Sequence, residues 1–144
     1  MVTVDAQEEW QDTGVSLTVG DDIVIEYVDG EWTNFDGESL FGPEGGASFI
    51  CEGSDCVEPL PGYPQGALIG RIGFGSPFAV GEYLQLTAKA PGMLQFRMND
   101  VGTYDNKGSL RMRVTVSDPS ECGVWLDIAP LNPGLALNFR AGCD

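Results

Sequence analysis

The chain has 144 residues, enough for one domain with a real hydrophobic core. Seven basic against 22 acidic residues leave a net charge of −15, which argues against nucleic acid and anionic membranes as partners and welcomes cations. A hydrophobic content of 42% with seven Phe, four Tyr and three Trp excludes disorder, and no apolar run reaches the length of a membrane span.

Twenty Gly and nine Pro, scattered without a period, indicate an all-β chain rich in turns. Residues 1–20 carry neither a basic start nor an apolar stretch, so no signal peptide is read there. In chain order, Val15–Val19 and Ile23–Val28 are predicted strands flanking the turn residues Gly20-Asp21-Asp22, a hairpin or a corner. A strand over Gly30–Asn34 places Trp32 at the edge of the core. Residues 35–66 read as a loop-rich excursion of a length that is usually functional or tied down by a disulfide. Further strands are predicted at Ala67–Ile72, Tyr83–Ala88, Met93–Asn99, Ser109–Val116, Val124–Ile128 and Leu135–Phe139. No segment has a helical repeat. Short strands spaced by turn signals predict a β-sandwich of jelly-roll type.

The period-two segments Met93–Asn99 and Ser109–Val116 predict antiparallel strands joined by a short loop. That loop concentrates the side-chain oxygens of Asp100, Asp105 and Asn106. Gly102 and Gly108 free the backbone, so a carbonyl such as that of Thr103 can turn inward. Hard cations take such a supply of carboxylate, amide and carbonyl oxygens, with Ca2+ foremost. The same residues also suit an ordinary turn.

Histidine is absent, which excludes a mixed Cys/His zinc site and a His-based catalytic triad. Neither cysteine pair has the C-x2-C spacing that favours an all-cysteine zinc site. Two local disulfides, Cys51–Cys56 and Cys122–Cys143, are expected instead, and with them an oxidising compartment. Four cysteines permit three pairings, so the connectivity stays open.

Taken in order, several short pieces resemble the PA-I galactophilic lectin family, calcium-dependent galactose-binding sandwiches. They are Trp10-Gln-Asp-Thr-Gly14, the Gly20-Asp21 corner, Gly30-Glu-Trp32, Phe41-Gly-Pro43, Ile50-Cys51 with Cys56, Gly66-Ala-Leu-Ile-Gly-Arg-Ile-Gly73, and Asn99-Asp100 through Gly108-Ser109. The resemblance covers roughly residues 8–116. It implies calcium ligands at Asp100, Asp105, Asn106 and the carbonyls of Thr103 and Phe35, with two sugar hydroxyls completing the shell. Asp105 stands where the lectins have an amide, which makes the ligand set more negative. The implied carbohydrate contacts are Phe35, Asp100, Val101, Asp105 and Asn106.

The chain also departs from the family. The lectins' His and Gln, which grip the exocyclic hydroxyl, are missing, and the loop that holds them is shortened to residues 45–49. An insertion, Val57–Gln65, brings Tyr63, whose ring either packs on the sugar's C–H face or tacks the inserted loop down. Residues 117–144 have no counterpart in the family.

The resulting expectation is a single lectin-like β-sandwich over residues 1–144, with a family-like core at 1–116 and a C-terminal extension closed by a disulfide. It is a secreted, calcium-dependent lectin for galactosides or other glycans with vicinal hydroxyls, with no membrane insertion and with homo-oligomers left open. The alternative is a scaffold or adhesion module with a purely structural calcium. Carboxylates are plentiful, but nothing marks an acid and base at glycosidase separation, so no enzyme is expected.

Overall fold

Strict alternation of apolar and polar residues builds a chain of strands and turns, and the computed structural model describes residues 1–34, 39–46 and 50–117. The strands are β1 (Val2–Asp5), β2 (Gln11–Leu17), β3 (Asp22–Thr33), β4 (Leu68–Ile72), β5 (Phe78–Ala79), β6 (Tyr83–Thr87), β7 (Gly92–Met98) and β8 (Lys107–Ser117). They form two four-stranded antiparallel sheets, ordered β1-β8-β3-β6 and β2-β7-β4-β5. Among the described residues there is no helix. The molecule is an all-β sandwich.

The core is the meeting of the two inner faces. Ile23, Ile25, Leu110 and Met112 from one sheet pack with Leu17, Leu68, Leu94, Phe96 and Met98 from the other, all essentially excluded from water. Burying such a side chain stabilises the fold by about 1.5–3 kcal/mol.

The predicted strands Ile23–Val28 and Gly30–Asn34 are one strand. β3 pairs continuously with β8, but its register shifts between Tyr27 and Asp29. This bulge reverses which parity faces inward: Ile23 and Ile25 point to the core before it, and Trp32 does so after it. A break in period therefore looks like a break in the strand. The Tyr27 hydroxyl donates to the Gly30 carbonyl across the irregularity.

Two connections differ from a hairpin reading. Gly20-Asp21 is a corner, since β2 and β3 lie in different sheets. The loop between β7 and β8 is not a hairpin either. These strands do not pair with each other, and the loop crosses from one sheet to the other at one end of the sandwich. Their inward residues face each other across the core, which gives both segments the same alternation that a hairpin would. β1 and β5 escaped sequence reading: each is short, and β5 spans only Phe78–Ala79. The predicted strands Val124–Ile128 and Leu135–Phe139, with Cys122 and Cys143, lie outside the described residues.

Candidate functional site

β7 runs into the crossing loop along a chain of backbone bonds. Asn99 N–H donates to the Ala67 carbonyl at 2.8 Å, and Gly66 N–H donates to the Asn99 carbonyl at 2.9 Å. The buried Arg97 guanidinium donates to the carbonyls of Met98 and Asp100 and forms an ion pair with Glu9 at 3.7 Å. Burial pulls Arg97 down from its usual range, while the carboxylates of Glu9, Asp100 and Glu58 oppose that shift. This cation fixes the backbone turn that aims Asp100.

Asp100 is buried, and its Oδ1 accepts from Gln65 Nε2 at 3.3 Å. The same Gln65 amide donates to Glu58 Oε1 at 3.3 Å, and Glu58 Oε2 accepts from the Val101 N–H at 3.1 Å. Two buried carboxylates thus share one amide. Burial pushes the Asp100 carboxyl up, opposed by hydrogen bonds from Gln65, Asn106 and the Gly102 N–H, and Asp105 adds a further upward push. Burial also raises Glu58, with Asp100 the next largest cause, while the Val101 N–H and Arg97 act against it.

Asn106 is fully buried at the far end of the loop. Its N–H donates to the Thr103 carbonyl at 3.1 Å, and its Nδ2 donates to the Ala6 carbonyl at 2.9 Å. Its Oδ1 has no hydrogen-bond partner among the described residues. A buried acceptor left unmade costs about 1–3 kcal/mol, so this atom marks a place where a donor or a cation belongs. Among the described residues no three His, Cys, Asp or Glu side chains converge as a metal cluster. The loop carries two aspartates and one amide oxygen, close enough for Asp105 to act on the Asp100 carboxyl. Oxygen donors of this kind suit an oxygen-seeking ion such as calcium rather than a thiolate-seeking one.

Asp100, Thr103, Asp105 and Asn106 lie on this one loop; Asp100 and Asn106 are buried, and the Thr103 carbonyl accepts from the Asn106 N–H. Val101 is exposed beside them, and Tyr104 on the loop's tip is 85% exposed. Phe35 lies outside the described residues. Tyr63 is half exposed, and what holds its loop is Asn99, whose Nδ2 donates to the carbonyls of Leu60, Tyr63 and Pro64. Sequence reasoning missed Glu58, Gln65 and Arg97. The signal for Glu58 and Gln65 was available: both are polar residues in an insertion that ends against the strand carrying the loop. Cys51 and Cys56 are bridged, and the Gly62 N–H donates to the Cys51 carbonyl at 2.7 Å, tying the bridge to the inserted loop.

No protein-family model matches the sequence, and no curated protein matches it. A solved structure does: the EclA N-terminal domain, described as a PllA-like lectin, superposes with a TM-score of 0.58 at 26% identity. The match covers 80% of this chain and 93% of that one. The fold is lectin-like. Since nearly all of the lectin domain is matched, the likeness extends to the whole sandwich rather than to a shared sheet. The Cys51–Cys56 bridge is compatible with an oxidising environment.

Proposed function

We propose that this chain is a secreted, calcium-dependent carbohydrate-binding protein that takes galactosides at the end of the sandwich where β7 crosses to β8. Asp100, Asp105, Asn106 and the Thr103 carbonyl would hold the ion, with the Phe35 carbonyl as the remaining protein donor. The observation that carries this reading is the buried Asn106 Oδ1, without a hydrogen-bond partner among the described residues, on the loop with Asp100, a carboxylate that burial has raised and that a cation would favour in its charged form. The lectin likeness supports a sugar as the ligand.

When bound, calcium supplies open coordination positions for two vicinal sugar hydroxyls. The chain's own residues do the rest. Asp100 and Asp105 accept charge-assisted hydrogen bonds from those hydroxyls. Gln65 and Arg97 hold Asp100 and its backbone in place, so little ordering is left for binding. Exposed Val101 and Tyr63 offer apolar surface to the sugar's C–H face. Without His and Gln contacts to the exocyclic hydroxyl, free galactose binds weakly and substituted galactosides bind better.

A glycan array run with calcium and again with chelator tests the reading. Galactoside capture that disappears with chelator and in Asp100→Ala is the expected result. Calcium binding with no glycan captured would replace it with the scaffold reading, and binding of other glycans alone would remove galactose. Tyr63→Ala should weaken sugar capture and leave calcium affinity unchanged.

A further inference from the structure

The outer face of β2, β7 and β4 carries a polar row, separated from Asp100 by Arg97, whose guanidinium lies over the Trp10 ring at 5.7 Å from its centroid and donates to the Asp100 carbonyl. Asp12 pairs with Gln95 across β2 and β7, and Gln95 pairs with Arg71 across β7 and β4, so the three side chains stand in line. Arg71 Nε donates to Gln95 Oε1 at 2.7 Å, and Gln95 Nε2 donates to Asp12 Oδ1 at 2.6 Å. The Arg71 guanidinium lies over the Trp10 ring at 4.4 Å from its centroid and over Phe74 at 5.4 Å. Both ends of the Gln95 amide are engaged, which fixes its orientation. The second N–H of Gln95 and Asp12 Oδ2 have no partner among the described residues.

Beside this row lies a groove of about 520 Å³, bounded by Phe74, Pro91, Met93, Gln95 and Asp12. That volume is in the range of small-molecule sites. Its floor is backbone. A Cβ on Gly92 would come within 2.9 Å of the Gly73 Cα, and Gly92 has a φ of +147°, so glycine at this position lets the two segments touch. Phe74 sits on the tight turn closed by the Gly75 N–H to the Ile72 carbonyl and is 95% exposed. An aromatic ring held in water beside preorganised polar groups is the composition of a saccharide platform: a stacking face plus donors and acceptors for hydroxyls.

We propose that this groove is a second, metal-independent carbohydrate subsite that takes a neutral pyranose. Phe74 stacks on the sugar's C–H face, Asp12 Oδ2 accepts from one hydroxyl, and the free N–H of Gln95 donates to a neighbour. Arg71 is a positioning residue: stacked on Trp10, it orients Gln95. The carboxylate in the groove and the net charge of −15 select neutral over acidic sugars. Along the chain Gln95 lies five residues from Asp100, at most roughly 16 Å at about 3.3 Å of rise per residue, which is more than one sugar ring spans. The proposal does not rest on the calcium reading.

An array of neutral and acidic glycans probed in EDTA tests it, with wild-type protein, Phe74→Ala, Gln95→Leu and Asp100→Ala. Neutral glycans should be captured without calcium. Phe74→Ala should bind them about five- to tenfold more weakly, since stacking contributes of that order. Gln95→Leu should lose them while melting close to wild type, and Asp100→Ala should keep them. The proposal is overturned by no capture in EDTA, by capture that both groove variants retain, or by capture of acidic glycans alone. Calcium-dependent binding that survives any of these outcomes leaves the Asp100 site standing by itself.

Discussion

Asn99 grips Leu60 by both ends of its side-chain amide. Its Oδ1 accepts from the Leu60 N–H at 2.9 Å, and its Nδ2 donates to the Leu60 carbonyl at 3.0 Å. A side chain at the end of β7 thereby replaces a missing strand and ties the inserted loop to the strand that leads into Asp100. Asn99→Ala removes both bonds together with the Nδ2 contacts to the Tyr63 and Pro64 carbonyls, and it leaves the Leu60 N–H unpaired. At about 0.5–1.5 kcal/mol per bond, the loss should reach about 2–4 kcal/mol once the orphaned groups are counted. Denaturant unfolding measures it, and a loss below 1 kcal/mol would mean that the loop is held elsewhere.

Calcium should raise the melting temperature and chelator should lower it, because a ligand that binds only the folded state adds stability by mass action. Asp100→Ala should abolish the difference. Asn106→Asp gives a sharper test. It adds a carboxylate to a site that already buries Asp100 and Glu58, at an oxygen with no hydrogen-bond partner among the described residues. Without the ion, the added buried like charge should destabilise the variant. With the ion, the added charge should strengthen binding, so the calcium-dependent shift should widen beyond wild type. The lost Ala6 bond is common to both conditions and cancels.

The strands with long alternation were legible because period two survives from one end to the other, as in β7 and β8. β3 was read as two strands, since its bulge flips the inward parity between Ile25 and Trp32. The partners of β7 and β8 were also hidden, because alternation reports a buried face and not which strand lies beside it. At the candidate site, Asp100, Asp105 and Asn106 could be read from composition within one loop. Glu58 and Gln65 were signalled only by their place in the insertion, whose folding back onto Asp100 the sequence does not state. Arg97, three residues before Asp100 on β7, was hidden because alternation does not show that its long side chain turns back to the Asp100 carbonyl.

Gly108 should tolerate no side chain. It is the second residue of β8, opposite Trp32, with a φ of +93°, and a Cβ there would meet the Trp32 Cα at 2.8 Å. Gly108→Ala therefore forces β3 and β8 apart where the crossing loop ends, and it also strains a left-handed backbone. A fall of several degrees in melting temperature and weakened calcium binding are expected together. Calcium affinity left at the wild-type value would separate the strand contact from the loop.

The Asp29–Arg111 pair sets a small pH dependence. A hydrogen bond from Arg111 lowers the Asp29 carboxyl below its ordinary 3.8. A depressed folded-state value contributes stability that is present above the unfolded value and lost as pH falls through the folded one. The contribution should therefore begin to fall below about pH 4 and be gone once the pH is below the lowered folded value, and Asp29→Asn should flatten that limb of the stability profile. The pair is exposed, so the effect should shrink with added salt.

The Cys51–Cys56 bridge should matter more to binding than to folding. Its closed loop is short, with a sequence separation of 5, so chain entropy assigns it only about 2 kcal/mol. Its position is the larger matter. The Gly62 N–H bonds the Cys51 carbonyl, and the same inserted loop carries Glu58 and Gln65 to Asp100. Replacing both cysteines by Ala should leave a cooperative unfolding transition shifted by that modest amount. Glycan affinity should fall further than the shift in stability explains, because Gln65 loses its fixed approach to Asp100. Measuring both on one preparation separates the effects. Equal affinity in the bridged and unbridged proteins would show that the inserted loop keeps its place through Asn99, Glu58 and Gln65 without the bridge.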